Sequence, residues 1–230
     1  MTSSNSMKRC TAMKTSYADI GYIHIEDFFN QEELDLLIEL SKSIVKENDS
    51  LDFTINGIDQ LHITHQHKFN AYSSRGYKSN KLRDYIESHV KTKIDPIIRE
   101  IYQDNYVIED DATLLAWYPE SLIKGFTGFH QDGPSDLIPH GYPHCWIPLI
   151  DERRANFACI PRTHTYGNFP HSHMGHFIKV DPSIVETFLE NKTSLLVKPR
   201  DLFIFNTRLM HCLTINETKS IAWSIEFIIK

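Results

Sequence analysis

The chain has 230 residues, 41% of them hydrophobic and 11% aromatic, with a formal net charge of −6. That length fits one large domain, the apolar content excludes a disordered chain, and the acidic balance excludes a nucleic-acid-binding footprint. The sequence contains no apolar run of the ~18 residues that a membrane helix needs. Its four cysteines (Cys10, Cys145, Cys159 and Cys212) are widely spaced and form no CxxC pair. They read as reduced, buried thiols of a cytoplasmic protein.

In chain order, residues 1–18 are polar and lack the apolar centre of a signal peptide, so they read as a flexible tail before a single domain spanning 19–230. "GYIHIEDFF" (21–29) alternates as a short strand does. A helix follows in "NQEELDLLIELSKSIVKEN", with Asn30 as its cap and Glu33 at the returning position of a capping box. Residues 80–102 predict a second helix, broken or kinked at Pro96. From about residue 106 the texture changes to short β-type runs separated by Pro, Gly, Asp and Asn, which argues for a sandwich or barrel. One helix, 181–191, interrupts these runs, with Asp181 as cap and Pro182 in the first turn.

Within the β-rich half, "FHQDG" places His130 and Asp132 two residues apart, on one face if the segment is a strand. Such a pair can hold an ion or can sit idle on a loop. "DLFIFNTRLMHCL" carries His211 at the end of a β-like run, and regular alternation puts Phe203, Phe205, Thr207, Leu209 and His211 on one face. Two histidines and a carboxylate on one face of a metal form the facial triad of non-haem Fe(II) oxygenases. The histidine-bearing stretches "HITHQH" (62–67) and "HSHMGH" (171–176) read as a candidate cleft lining and a solvated loop, respectively. Trp117 and Trp146 read as core aromatics, and Arg153 and Arg154 as a solvated turn.

Four stretches together carry a resemblance. "GYIHIEDFFNQEELDLLIEL", "FHQDG", "WIPLIDERRANFACIPRTH" and "KPRDLFIFNTRLMHCLTIN" follow in order from about residue 20, the last with Asn216 five residues after His211. They resemble the phytanoyl-CoA dioxygenase-like family of Fe(II)/2-oxoglutarate-dependent oxygenases. The resemblance implies a mainly β fold with flanking helices, a double-stranded β-helix or cupin-like jelly roll. It implies Fe(II) held by His130, Asp132 and His211, with 2-oxoglutarate and O₂ as cosubstrates. The oxidative decarboxylation of 2-oxoglutarate to succinate would then drive oxidation of a C–H bond in a small metabolite, an amino acid or a natural-product intermediate. An aspartate at position 132 also argues against halogenation, because related halogenases lack the carboxylate ligand.

The chain departs from this family at Arg200 and Arg162, where glycine is usual. It departs again at Ala222, where an arginine normally pairs with the far carboxylate of 2-oxoglutarate. A shortened turn before that position brings Lys219 and Ser220 to the arginine's place, with Thr214 as a helping hydroxyl and Arg208 as the next basic candidate. Arg75, Arg162, His65 and His67 are read as cleft-facing cations, which implies a substrate bearing a carboxylate or another anionic group. Two alternatives stand beside this reading: an Fe(II) oxygenase that does not use 2-oxoglutarate, and a non-catalytic jelly-roll binding protein.

Overall fold

A computed structural model describes residues 16–49, 74–103, 105–108, 112–119, 128–132, 141–174 and 177–230. Among the described residues, twelve strands build two antiparallel sheets of six. The strands are β1 (Tyr22–Ile25), β2 (Ser74–Lys78), β3 (Thr113–Trp117), β4 (His130–Asp132), β5 (Pro143–Ile150), β6 (Phe157–Ile160), β7 (His171–Met174), β8 (Phe177–Val180), β9 (Thr193–Leu195), β10 (Leu202–Asn206), β11 (Met210–Leu213) and β12 (Ala222–Ile228). The first sheet runs β1-β10-β5-β12-β3-β2 and the second β7-β8-β4-β11-β6-β9. This is a jelly-roll architecture, a sandwich as the short β-type runs suggest and the fold that the family resemblance implies.

Alternation along the strands separates three apolar layers. In the first sheet, Ile147, Ile204, Leu114, Ala116, Trp223 and Ile225 face outward into a core closed by helices. The helices are α1 (Gln31–Asp49), α2 (Asn80–Tyr85) and α3 (Lys91–Ile101), with a π turn at Ile86–Val90 joining the last two. Leu37, Ile44, Leu82, Ile86, Ile94 and Ile98 supply their apolar stripe. Between the sheets lie Trp146, Phe157, Cys159, Phe203, Phe205 and Leu209. Outside the second sheet, Ile160, Val180 and Met210 are covered by Ile184 and Phe188 of α4 (Pro182–Phe188).

The predicted caps form. The Asn30 N–H donates to Glu33 Oε2 at 2.8 Å, and the Glu33 N–H donates to Asn30 Oδ1 at 2.9 Å. Lys93 then pairs with Glu33 at 2.8 Å and donates to the Phe28 carbonyl, so one carboxylate both caps α1 and ties it to α3. Asp181 accepts from the Ser183 N–H at 2.9 Å and starts α4. Pro96 does not end its helix, which continues through it to Ile101. Of the residues 1–18 read as a tail, those described from 16 onward begin a helical turn over 16–20, and Tyr17 is buried in the helix-covered core.

Three expectations need correction. Residues 171–174, read as part of a solvated loop, form strand β7. Arg153 is not in a solvated turn. It is buried, its guanidinium takes both oxygens of Asp151, and it donates to the Thr214 carbonyl at 2.8 Å; Arg154 is exposed. His211 does not end the strand that begins at Leu202. β10 stops at Asn206, a turn intervenes, and His211 lies on β11 in the other sheet. Asn206 makes that turn: its carbonyl accepts from the Leu209 N–H at 2.7 Å and its Oδ1 from the Arg208 N–H at 2.9 Å. Arg162 and Arg200, the two departures from glycine, both hold left-handed backbone at φ 72° and 79°, the conformation glycine adopts without cost.

The turn leans on Gly141, whose φ is +72°, and a Cβ there would lie 2.0 Å from Asn206 Oδ1. Gly141→Ala must therefore strain its own backbone and displace the side chain that caps the turn before His211. The expected loss is about 2 kcal/mol or more, read from the urea midpoint. An unchanged midpoint would mean that the turn tolerates the methyl group.

Candidate metal centre

β4 and β11 are neighbours, and their register sets His130 opposite His211. The two rings sit with centroids 4.3 Å apart. Asp132 follows His130 on the same face, because the segment is a true strand. Its own N–H donates to the Thr207 carbonyl at 2.8 Å, so the β10–β11 turn positions both the carboxylate and the second histidine. One ligand atom from each of His130, Asp132 and His211 lies within 4.8 Å of the others.

The tautomers suit a metal. His130 Nδ1 lies 3.2 Å from the Gly128 carbonyl, and His211 Nδ1 lies 2.8 Å from the Leu209 carbonyl. A carbonyl oxygen can only accept, so each Nδ1 carries the proton and each Nε2 keeps its lone pair. Those two Nε2 atoms face Asp132, at 3.5 Å from Oδ1 and 3.6 Å from Oδ2. All three side chains are buried. Burial, with help from His211, pushes His130 down to about 4, and burial lowers His211 as well. Burial alone would raise Asp132, but His211, His144 and His130 hold it well below the usual carboxylate range. Two neutral imidazoles and one carboxylate anion are the donor set an Fe(II) site needs.

The walls are aromatic. Phe157 stacks on His211 at 5.3 Å and 8°, and Phe205 touches it at 4.6 Å. Among the described residues, Leu115, Trp117, Trp146, Leu213, His144 and Glu226 also line the cavity beside the triad. Trp146 is the buried core aromatic that the sequence suggests and also faces the cavity, whereas Trp117 faces the cavity and is half-buried. His144 Nδ1 lies 2.7 Å from Asp132 Oδ2, and its Nε2 lies 3.6 Å from Glu226. Gln131, between the two ligands, turns to the other face. It donates to the Gly167 and Arg208 carbonyls and accepts from the Phe169 N–H, which locks β4 against both flanking turns. His144, Glu226 and Gln131 escape sequence reading because each acts through a partner distant in the chain.

Other predicted residues lie elsewhere. The Arg162 side chain is exposed and pairs with Asp19 at 2.9 Å. The Thr214 hydroxyl donates to the Ala155 carbonyl, and the residue lines a groove with Arg154, Lys192 and Cys212 instead of the triad cavity. Lys219 is exposed and Arg208 half-buried, and neither is among the residues lining the triad cavity. The Ser220 carbonyl accepts from Asn216 and Thr218, which hold the turn together. Arg75 pairs with Ala116 in register, whereas the cavity-lining Leu115 and Trp117 pair with Gly76 and Ser74. His65 and His67 lie outside the described residues.

Buried neutral histidines make the fold sensitive to acid. The unfolded chain protonates its histidines near 6.5, whereas folded His130 resists until about 4. As the pH falls through that interval the unfolded state takes up protons the folded state refuses, so stability falls. His144 acts in the opposite sense: Asp132 and Glu226 raise it despite burial, so its contribution is present at neutral pH and is lost only in alkali. Thermal melts in a chelator are expected to show Tm dropping between about pH 6.5 and 4.5. A Tm that rises on acidification would contradict neutral burial of His130 and His211.

No protein-family model and no curated protein matches the sequence. Solved structures do match its fold. The epimerase SnoN, in complex with Fe3+, alpha ketoglutarate and nogalamycin RO, superposes with a TM-score of 0.71 at 12% identity, over 96% of this chain and 83% of that one. The non-heme alpha ketoglutarate dependent carbocyclase SnoK from nogalamycin biosynthesis gives 0.67 at 14% identity, over 95% and 83%. EctD from S. alaskensis, with 2-oxoglutarate and 5-hydroxyectoine, gives 0.61 at 16% identity, over 95% and 75%. At these identities the likeness is one of fold, and the fold is the jelly roll of Fe/2-oxoglutarate oxygenases.

Proposed function

We propose that this protein is a non-haem Fe(II)/2-oxoglutarate-dependent oxygenase that oxidises a C–H bond of a small metabolite. The observation that carries the reading is the pair of Nε2 lone pairs, fixed by backbone carbonyls and aimed at a buried carboxylate inside a jelly roll. Bound Fe(II) would supply oxygen activation coupled to decarboxylation of the keto acid. The chain's own residues would hold the ion on one face, leave the other face to the cavity, and exclude water with Trp117, Trp146, Phe157 and Phe205. The ligands in the similar structures, nogalamycin RO and 5-hydroxyectoine, support a small-molecule substrate. The finer placement in the phytanoyl-CoA dioxygenase-like family is supported by the sequence motifs. Arg162 and Arg200 add support, since they keep the backbone conformation of the glycines they replace.

The distal carboxylate of 2-oxoglutarate needs partners, because burying it alone costs several kcal/mol. Lys219, in the turn that leads into β12, is the proposed charged partner. Three neutral donors in this part of the fold support it: Ser224 Oγ and the indole N–H groups of Trp117 and Trp146 are buried and have no hydrogen-bond partner among the described residues. Trp117 pairs with Ala222 in register, and Ser224 lies two residues further along β12. One observation favours a second reading, an Fe(II) oxygenase without 2-oxoglutarate. Among the described residues lining the cavity there is no lysine or arginine, and Glu226 is there instead.

Succinate separates the two. Protein reconstituted with Fe(II) under argon, then given 2-oxoglutarate and O₂, is expected to release succinate, and His211→Ala is expected to release none. No succinate from folded, iron-loaded protein would favour the second reading. Lys219→Ala is expected to raise the apparent KM for 2-oxoglutarate roughly tenfold, the loss of a charge-assisted contact of ~1.5–3 kcal/mol. An unchanged KM would leave the anchor to the neutral donors.

A further inference from the structure

Asp132 has two carboxylate oxygens, and a metal held by one of them leaves the other buried and in need of a donor. The structure supplies that donor from the opposite sheet. His144, on β5 of the first sheet, reaches across the sandwich to Asp132, on β4 of the second, with Nδ1 at 2.7 Å from Oδ2. Its ring has little freedom. It stacks on Phe205 at 4.6 Å and 27°, and Phe205 in turn touches His211 at 4.6 Å. Its Nε2 faces the Glu226 carboxylate at 3.6 Å, from the neighbouring strand β12. A carboxylate thus stands at each end of one buried imidazole, and the imidazole joins the metal-ligand sheet to the helix-backed sheet.

We propose that His144 is a positioning residue for the metal. It holds Asp132 in a one-oxygen pose, with Glu226 fixing its ring, so that the second carboxylate oxygen cannot turn onto the ion and fill a position meant for cosubstrate. This rests on the reading of His130, Asp132 and His211 as the metal ligands, and it does not depend on 2-oxoglutarate. A purely space-filling role for His144 makes a different forecast. Phenylalanine fills a similar volume and keeps the stack on Phe205, but donates no hydrogen bond.

The test uses Co(II) as a probe, followed by calorimetry and by its visible ligand-field spectrum, with Tm as the measure of folding. His144→Phe is expected to bind Co(II) about 10- to 100-fold more weakly and to change the spectrum. His144→Asn, whose amide nitrogen can take the place of Nδ1, is expected to restore most of the affinity and the wild-type spectrum. If His144→Phe fails to fold, His144→Met removes the donor without the ring. Wild-type affinity and spectrum in either folded variant would overturn the proposal while leaving the metal centre intact. Absence of Co(II) binding by the wild type would overturn both this proposal and the assignment of the three ligands.

Discussion

A carboxylate buried between two imidazoles is the constraint on which this molecule depends. Removing Asp132 from water is unfavourable by several kcal/mol unless donors or a cation surround it. His144 supplies one donor from the first sheet, the Thr207 carbonyl holds the backbone in place, and the His130 and His211 Nε2 lone pairs, facing the carboxylate from the second sheet, leave the rest of the demand to a cation. The short strand β4 is one consequence. Three residues make a weak strand on their own, but Gln131 fastens it to the turns on both sides.

The rest of the fold serves to keep these groups in register. Helices α1 to α3 bury the outer face of the first sheet, which gives β5 and β12 a rigid backing. From that backing His144 and Glu226 reach inward, while Phe205 from β10 supports two histidines at once. The β10–β11 turn is the point of greatest leverage: Asn206, Thr207 and Gly141 meet there, and through it one sheet hands the chain to the other.

What was legible in the sequence is what depends on near neighbours. The capping box of Asn30 and Glu33, the Asp181 cap and the shared face of His130 and Asp132 all follow from spacings of two or three residues. The route to His211 was misread because "DLFIFNTRLMHCL" is β-like throughout; only the Asn206 side chain, bonding backward, breaks the run. His144 was hidden for a different reason. Within "GYPHCWIPLI" it is one residue of a buried strand, and its role comes from Asp132, twelve positions away and in another sheet. Arg153 shows the same limit, since a charged turn reads as solvated until Asp151 and the Thr214 carbonyl enclose it. Arg162, predicted to meet substrate, is held outside by Asp19.

If His130, Asp132 and His211 form one iron site, an anaerobic Fe(II) titration followed by calorimetry detects it. The wild type is expected to bind one Fe(II) per chain, and Asp132→Ala and His211→Ala are each expected to lose that binding while retaining the wild-type fold by circular dichroism. Undiminished Fe(II) binding in folded His211→Ala would contradict the account.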